Sequence, residues 1–371
     1  MSQNNVRVLR TQSTTLNTII QANNNIREAR NELSSKRQND YKEDKNYFCK
    51  KENMLKYMNE NYPQFNEQFE LLNYVNSGSY GCVYKAKKKL ENNNINYAIK
   101  FCIKNKNEFH EIRILKKLCH KNIAQILACL KINNDSIFSV HEFIKYGHLR
   151  YFVNILLKKK RLSETCILYF AKQILDSLEY LHRNKIIHMD IKPENILIDG
   201  ELNPKLIDFS VSCSFNKLNP EDIVRFPFVG TSLYIAPEII KRKQMKIKYG
   251  EKIDIYSFGV TLYYLHFGIY PYNLDSVKSN DYKQILEKVE KEKLEFPKDI
   301  KASEMFKDFL TKILEKDYIK RFNIREALMH PWIQAWQIIE DEKQNLSCLE
   351  KFLIKLISDT IPKFNSYINM K

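Results

Sequence analysis

One octapeptide constrains this chain more than any other stretch: His188-Met189-Asp190-Ile191-Lys192-Pro193-Glu194-Asn195. Before it, Ile167, Ala171, Ile174, Leu178 and Leu181 recur at three- and four-residue spacing and predict a helix, with Ser163 as its N-cap. After it, Ile196-Leu197-Ile198, Asp199-Gly200 and Lys205-Leu206-Ile207 read as strand, turn and strand, because Asp-Gly accepts positive φ. Asp208 ends the second strand. This order puts two carboxylates, an amide and an ammonium at the base of one cleft. Asp190 can accept a hydroxyl proton. Lys192 can neutralise a phosphoryl group, and Asn195 with Asp208 can hold Mg²⁺.

These residues resemble the catalytic loop H-R-D-x-K-x-x-N and the later D-F-G of the eukaryotic protein kinases. The similarity runs over residues 66–332. It departs at Met189, where the family has Arg, and at Ser210, where it has the final Gly. The resemblance implies an α+β, two-lobed protein kinase fold. A small antiparallel-sheet N-lobe with one helix (66–143) would precede a larger, mainly helical C-lobe (144–332).

Further motifs agree in order. Leu71 to Val75 forms a strand pattern running into Asn76-Ser77-Gly78-Ser79-Tyr80-Gly81-Cys82-Val83, which is similar to the glycine-rich G-x-G-x-x-G-x-V. Glycine there lets backbone N–H groups approach phosphate oxygens, and Asn76 is the substitute that best tolerates the left-handed region. Tyr97-Ala98-Ile99-Lys100 matches V-A-I-K, and Glu111 opens the helix whose glutamate pairs with that lysine. The resemblance implies an ATP site formed by Val75, Gly78, Gly81, Val83, Ala98, Lys100, Glu111, Glu142, Ile144 and Leu197. Backbone groups at Glu142 and Ile144 would bind adenine, and Val83, Ala98 and Leu197 would sandwich it. His141 takes the position controlling the back pocket and reads as a packed His; His110 reads as exposed. Phe209, His188 and Leu115 would stack as a spine, so His188 is structural. Asp254 would hold the catalytic-loop backbone, and Arg321 would pair with Glu238. Six of the eight glycines fall at kinase positions: Gly78, Gly81, Gly147, Gly230, Gly259 and Gly268.

The implied chemistry is γ-phosphoryl transfer from Mg·ATP to Ser or Thr hydroxyls of protein substrates. Asp190, Lys192 and Asn195 are the catalytic set, and Asn195 and Asp208 the metal ligands. Lys192 and the Gly230-Thr231 frame before Ala236-Pro237-Glu238 mark the serine/threonine branch. The layout is similar to calcium/calmodulin-dependent kinases, and the H-M-D-I-K-P loop to Wee1-type kinases. Residues 215–230 contain no Ser, Thr or Tyr. That empties the usual site of activating phosphorylation, and Met189 removes the arginine that would pair with such a phosphate. Activity independent of activation-loop phosphorylation is therefore expected. Positions that carry acids in kinases demanding arginine before the target are His148 and Tyr264 here, leaving Glu194 alone. No strong demand for arginine is expected. The alternative reading, motivated by Asn76, Met189 and Ser210, is a pseudokinase acting as an ATP-binding scaffold or allosteric partner.

The remaining chain is read from composition. Residues 1–65 read as a polar, Asn-rich N-terminal extension, partly disordered, with aromatics gathering at 47–65 that can pack on the domain edge. Residues 333–371 carry Leu346, Leu349, Leu353, Leu356 and Ile357 at helical spacing. That tail reads as a helix on the C-lobe, or as an autoinhibitory or partner-binding helix. The net charge of +16 is dispersed, without the basic-aromatic clusters of a nucleic-acid site, so no nucleic acid is expected. No apolar run spans a membrane. Eight cysteines without a C-x-x-C pair point to a reducing cytoplasmic or nuclear compartment.

Overall fold

The computed structural model describes residues 50–61, 63–78, 81–90, 95–103, 106–131, 136–151, 162–214, 232–241, 250–278 and 281–336. The expectations for residues 1–49, the activation segment 215–231 and the tail beyond 336 lie outside these. The chain divides into two compact units, residues 1–105 with 130–138, and residues 106–129 with 139–371.

The first unit is built on β-structure. Strands β1 (Phe69–Gly78), β2 (Gly81–Lys88) and β3 (Tyr97–Ile103) pair antiparallel in sequence order. With β4 (Ile126–Lys131) and β5 (Ser136–Glu142), which run from one unit into the other, they make a five-stranded sheet of order β1-β2-β3-β5-β4. Helices α1 (Lys51–Asn61) and α2 (Pro63–Gln68) precede it. Met54, Met58 and Phe65 are buried, and Phe65 stacks on Phe69 and Phe138 at 4.9 and 5.3 Å. Tyr57, whose ring lies 5.4 Å from that of Phe101, and Phe65 thus extend the sheet's apolar layer. Asn76 differs from expectation. It sits in extended β1 opposite Val83, and none of its φ freedom is used. Gly81 is demanded by packing: a Cβ there would lie 2.0 Å from the Phe101 carbonyl oxygen on β3.

The second unit is mainly helical. It holds α3 (Lys106–Leu115), α4 (Glu164–Arg183), α5 (Pro237–Lys241), α6 (Lys252–Phe267), α7 (Tyr282–Lys291), α8 (Glu304–Ile313), α9 (Ile324–Leu328) and α10 (Pro331–Gln334). Short strands β6 (Ile186–Ile187) and β9 (Cys213–Ser214) pair, as do β7 (Ile196–Ile198) and β8 (Pro204–Leu206). Ser163 caps α4 as its spacing predicts, accepting from the Cys166 N–H at 3.3 Å. Helix α6 is apolar all round and buried from Ile253 to Phe267, as a helix at the centre of a bundle must be. Its Gly259 admits α8: a Cβ there would come within 2.9 Å of Leu314. The β7–β8 connection is longer than a two-residue turn. Asp199 Oδ1 accepts from the N–H groups of Glu201 and Asn203, both at 2.9 Å, and positive φ falls on Leu202 rather than Gly200. An Asx-type turn on Asp199 explains the difference. An antiparallel sheet unit followed by a helical unit is the two-lobed protein kinase architecture.

Candidate active site

The octapeptide leaves α4 through β6 and is held from below by one buried side chain. Asp254, near the start of α6 and fully buried, accepts from His188 N–H (Oδ2, 2.9 Å) and Met189 N–H (Oδ1, 2.9 Å). His182 Nε2 lies 3.0 Å from Oδ2. The support is needed because Met189 has φ 69°, a region uncommon for a non-glycine residue. His188 is committed to structure. Its Nε2 donates to the Ile207 carbonyl (3.1 Å), its Nδ1 accepts from Asp190 N–H (3.3 Å), and its ring lies 4.7 Å from that of Phe209. Neither ring nitrogen is left for a substrate.

Asp190 is the focus of the loop. Its Oδ2 accepts from Lys192 Nζ at 2.6 Å and from Asn195 Nδ2 at 2.7 Å, and Asn195 Nδ2 also reaches the Asp190 carbonyl at 2.9 Å. The short helical turn Pro193–Asn195 brings the amide back onto the carboxylate. Two donors on one oxygen fix the orientation of the Asp190 carboxylate. The β7–β8 pairing sets Ile196 opposite Leu206, and the N–H of Ile207, the residue before Asp208, donates to the Asn195 carbonyl at 3.0 Å.

Asp208 has φ 65°, and its Oδ1 accepts from Ser210 N–H (3.3 Å) and Ser210 Oγ (2.6 Å). The final Gly of the family motif is thus replaced by a residue whose hydroxyl grips the aspartate. The donor set is all oxygen, one carboxylate and one amide. That suits Mg²⁺, which completes its shell with water and phosphate oxygens. Among the described residues no group of three or more His, Cys, Asp or Glu side chains forms a metal cage.

The remaining candidates divide between the units. Val75, Gly78, Gly81, Val83, Ala98 and Lys100 belong to the first. Gly78 pairs with Gly81, Val83 with Lys100, and Ala98 with Lys85. Val75 is exposed. Glu111, Glu142, Ile144 and Leu197 belong to the second. Glu111 is buried, and its Oε1 accepts from Phe209 N–H at 3.1 Å. Glu142 N–H is spent on the Gln125 carbonyl (3.2 Å), and its carboxylate binds Lys205 Nζ (2.8 Å). Ile144 is buried, and Leu197 lies on β7 opposite Lys205. His141 Nε2 lies 2.8 Å from Ser139 Oγ, as suits a packed His.

Arg321, fully buried, meets Glu238 through two parallel bonds of 2.7 and 2.9 Å, the pairing expected from sequence. Three features had no sequence signal. His110, expected to be exposed, is half-buried, with Nε2 2.5 Å from the Ser212 carbonyl. Cys213 Sγ lies 3.3 Å from Met189 Sδ, and burial pushes its thiol up to about 12. Arg150 is gathered with Glu194 and three tyrosines, because the chain after residue 143 turns back over the catalytic loop. None of these partners is near its mate in sequence.

Comparison with known proteins agrees with this geometry. The protein kinase domain family matches residues 69–333. Mouse serine/threonine-protein kinase ULK3 is 32% identical over 71% of this chain and 54% of its own length. Calcium-dependent protein kinase 4 of Plasmodium berghei is 32% identical over 77% of this chain and 53% of its own. Arabidopsis thaliana serine/threonine-protein kinase TIO is 32% identical over 73% of this chain and 19% of its own. The chain spans about half the length of the first two and a fifth of the third. With the catalytic-loop geometry and a matching domain over most of its length, the chain belongs to the protein kinase family.

Proposed function

We propose that the chain transfers the γ-phosphoryl group of Mg·ATP to Ser or Thr hydroxyls of protein substrates, through a kinase domain spanning residues 66–332. The observation that carries this reading is the Asp190 carboxylate, oriented on one oxygen by Lys192 and Asn195 within a loop anchored to Asp254. Asp190 orients the acceptor hydroxyl and takes its proton as attack proceeds. Lys192, beside Asp190, would balance charge on the phosphoryl oxygens. Asn195 and Asp208 would hold Mg²⁺, which when bound neutralises the phosphates. The family resemblance implies that Lys100 and Glu111 would align the nucleotide and that Glu142, Ile144, Val75, Gly78, Gly81, Val83, Ala98 and Leu197 would contact it.

Activity does not require phosphorylation within 215–230, where no Ser, Thr or Tyr exists. Protein substrates are the expected partners; a partner or autoinhibitory contact through the helix pattern of residues 333–371 is the alternative to its packing on the C-lobe. Among the described residues no helix is long and apolar enough to cross a membrane. A second reading, a nucleotide-binding scaffold without transfer, is favoured by one observation: the Ser210 hydroxyl on Asp208 Oδ1 takes up one face of a metal ligand.

The test is radiolabel transfer from Mg·ATP to a generic protein substrate by wild type and Asp190→Asn. Transfer by wild type alone supports the kinase reading. Nucleotide binding without transfer in both overturns it in favour of the scaffold, and Ser210→Gly is then the variant that tests whether the hydroxyl is responsible.

A further inference from the structure

Arg150 lies in an unusual setting. Its guanidinium meets Glu194 Oε1 at 3.2 Å, donates to Tyr234 Oη at 3.3 Å and Tyr270 Oη at 3.0 Å, and lies 4.6 Å over the ring of Tyr264. The three tyrosines support one another: Tyr264 and Tyr270 are 4.9 Å apart, Tyr234 and Tyr270 5.5 Å. An acid with convergent aromatic faces and phenol oxygens is a receptor for a cation, and guanidinium fits it best. Here the receptor is filled from within the chain.

The receptor adjoins the catalytic residues. Glu194 is the direct neighbour of Asn195 and two residues from Lys192. Its side chain keeps 36% exposure and that of Arg150 27%, so the pair opens to solvent at the edge of the loop. Among the described residues no donor reaches Glu194 Oε2, which is buried, and Arg150 is the cation on Oε1. Among the described residues the carboxylate is therefore only half used. His148, two residues before Arg150, adds no acid; burial holds its imidazole below the usual histidine range.

We infer that Arg150 is a specificity-determining residue, an internal cation that occupies the Glu194–Tyr234–Tyr264–Tyr270 receptor and denies it to a basic residue flanking the acceptor hydroxyl of a substrate. This rests on the kinase reading and deepens it. The wild-type substrate class is Ser/Thr segments selected without arginine or lysine beside the acceptor. Removing Arg150 leaves an unpaired carboxylate inside an aromatic cage, and the same face becomes selective for arginine.

The experiment scans arginine through every position flanking a serine acceptor in a peptide set, with alanine peptides as reference. Wild type, Arg150→Ala, Arg150→Gln and the double variant Arg150→Ala/Glu194→Gln are compared as full chains. The readouts are phosphorylation rate and, independently, peptide affinity by fluorescence anisotropy. Wild type is expected to show no arginine preference. At one or two positions Arg150→Ala is expected to prefer arginine about tenfold, the gain of one charge-assisted contact. The double variant is expected to lose that preference. Arg150→Gln removes the charge but keeps hydrogen bonding to the tyrosines, and it carries the test if the alanine variant unfolds.

Absence of any arginine preference in both folded single variants, in rate and in affinity, overturns the inference. So does a wild type that already selects arginine through Glu194. If no variant transfers phosphate, the kinase reading fails, while the affinity arm still decides whether Arg150 blocks the receptor.

Discussion

Replacing Asp254 by asparagine exchanges one oxygen for an NH₂ and hardly alters the shape, yet it removes the support of the catalytic loop. The carboxylate accepts from His188 N–H and Met189 N–H on separate oxygens, each at 2.9 Å, with no solvent exposure. Asparagine has one acceptor oxygen, and its NH₂ would face the second backbone N–H. One buried donor is left unpaired, and the other bond loses its charge assistance. The first loss costs about 1–3 kcal/mol and the second about 1 kcal/mol. Because the two share one side chain they do not simply add, and about 2–4 kcal/mol is expected. Against a total domain stability of about 5–15 kcal/mol this is a large fraction. The assay is urea unfolding of wild type and Asp254→Asn, with the midpoint shifted and the slope unchanged. At urea concentrations well below the transition, phosphoryl transfer is expected to fall about 10²-fold, because Asp190 hangs from the loop that Asp254 anchors. An unchanged midpoint together with unchanged transfer would refute the argument that these two bonds hold the loop.

Three further outcomes are expected. Removing one partner of the buried pair, in Glu238→Leu or Arg321→Met, is expected to cost about 3–5 kcal/mol, and Arg321→Met/Glu238→Leu together less than the sum, measured as a double-mutant cycle in urea. Gly81→Ala forces a methyl group onto the Phe101 carbonyl and is expected to cost about 1–3 kcal/mol, with the loss read by hydrogen exchange in β2 and β3. His120 and His148 both have pKa values lowered from 6.5, mainly by burial, so the unfolded chain binds more protons. Stability should therefore fall as pH drops through 6.5 toward their folded-state values, and His120→Gln/His148→Gln should flatten that part of the curve measured by thermal unfolding.

Much of the site is legible in the sequence because its parts lie close together along the chain. Asp190, Lys192, Asn195 and Asp208 occupy one helix-loop-hairpin unit, so the family's motif can be read along a short stretch of chain. The N-cap at Ser163 and the bidentate Arg321–Glu238 pair are likewise readable, the first from spacing and the second from the family's motifs. Backbone conformation at single positions is less so. Asn76 tolerates positive φ but lies extended, and the turn at Asp199-Gly200 places its positive φ on Leu202. Both depend on how neighbouring strands pair, which a dipeptide does not encode.

By itself the sequence determined the kinase architecture, the candidate catalytic residues and the absence of any Ser, Thr or Tyr between residues 214 and 231. Only the tertiary structure decided which charges meet. Arg150 and Glu194 are 44 positions apart, and Tyr234, Tyr264 and Tyr270 are farther still from Arg150, so no spacing rule links them. In sequence Ser210 is a mere loss of glycine; in the fold its hydroxyl sits on Asp208. The physical reason is the range of the interactions involved. Backbone preference and hydrophobic period act between near neighbours and are written along the chain. A guanidinium finds its carboxylate only after burial of the core has fixed which distant loops share a surface.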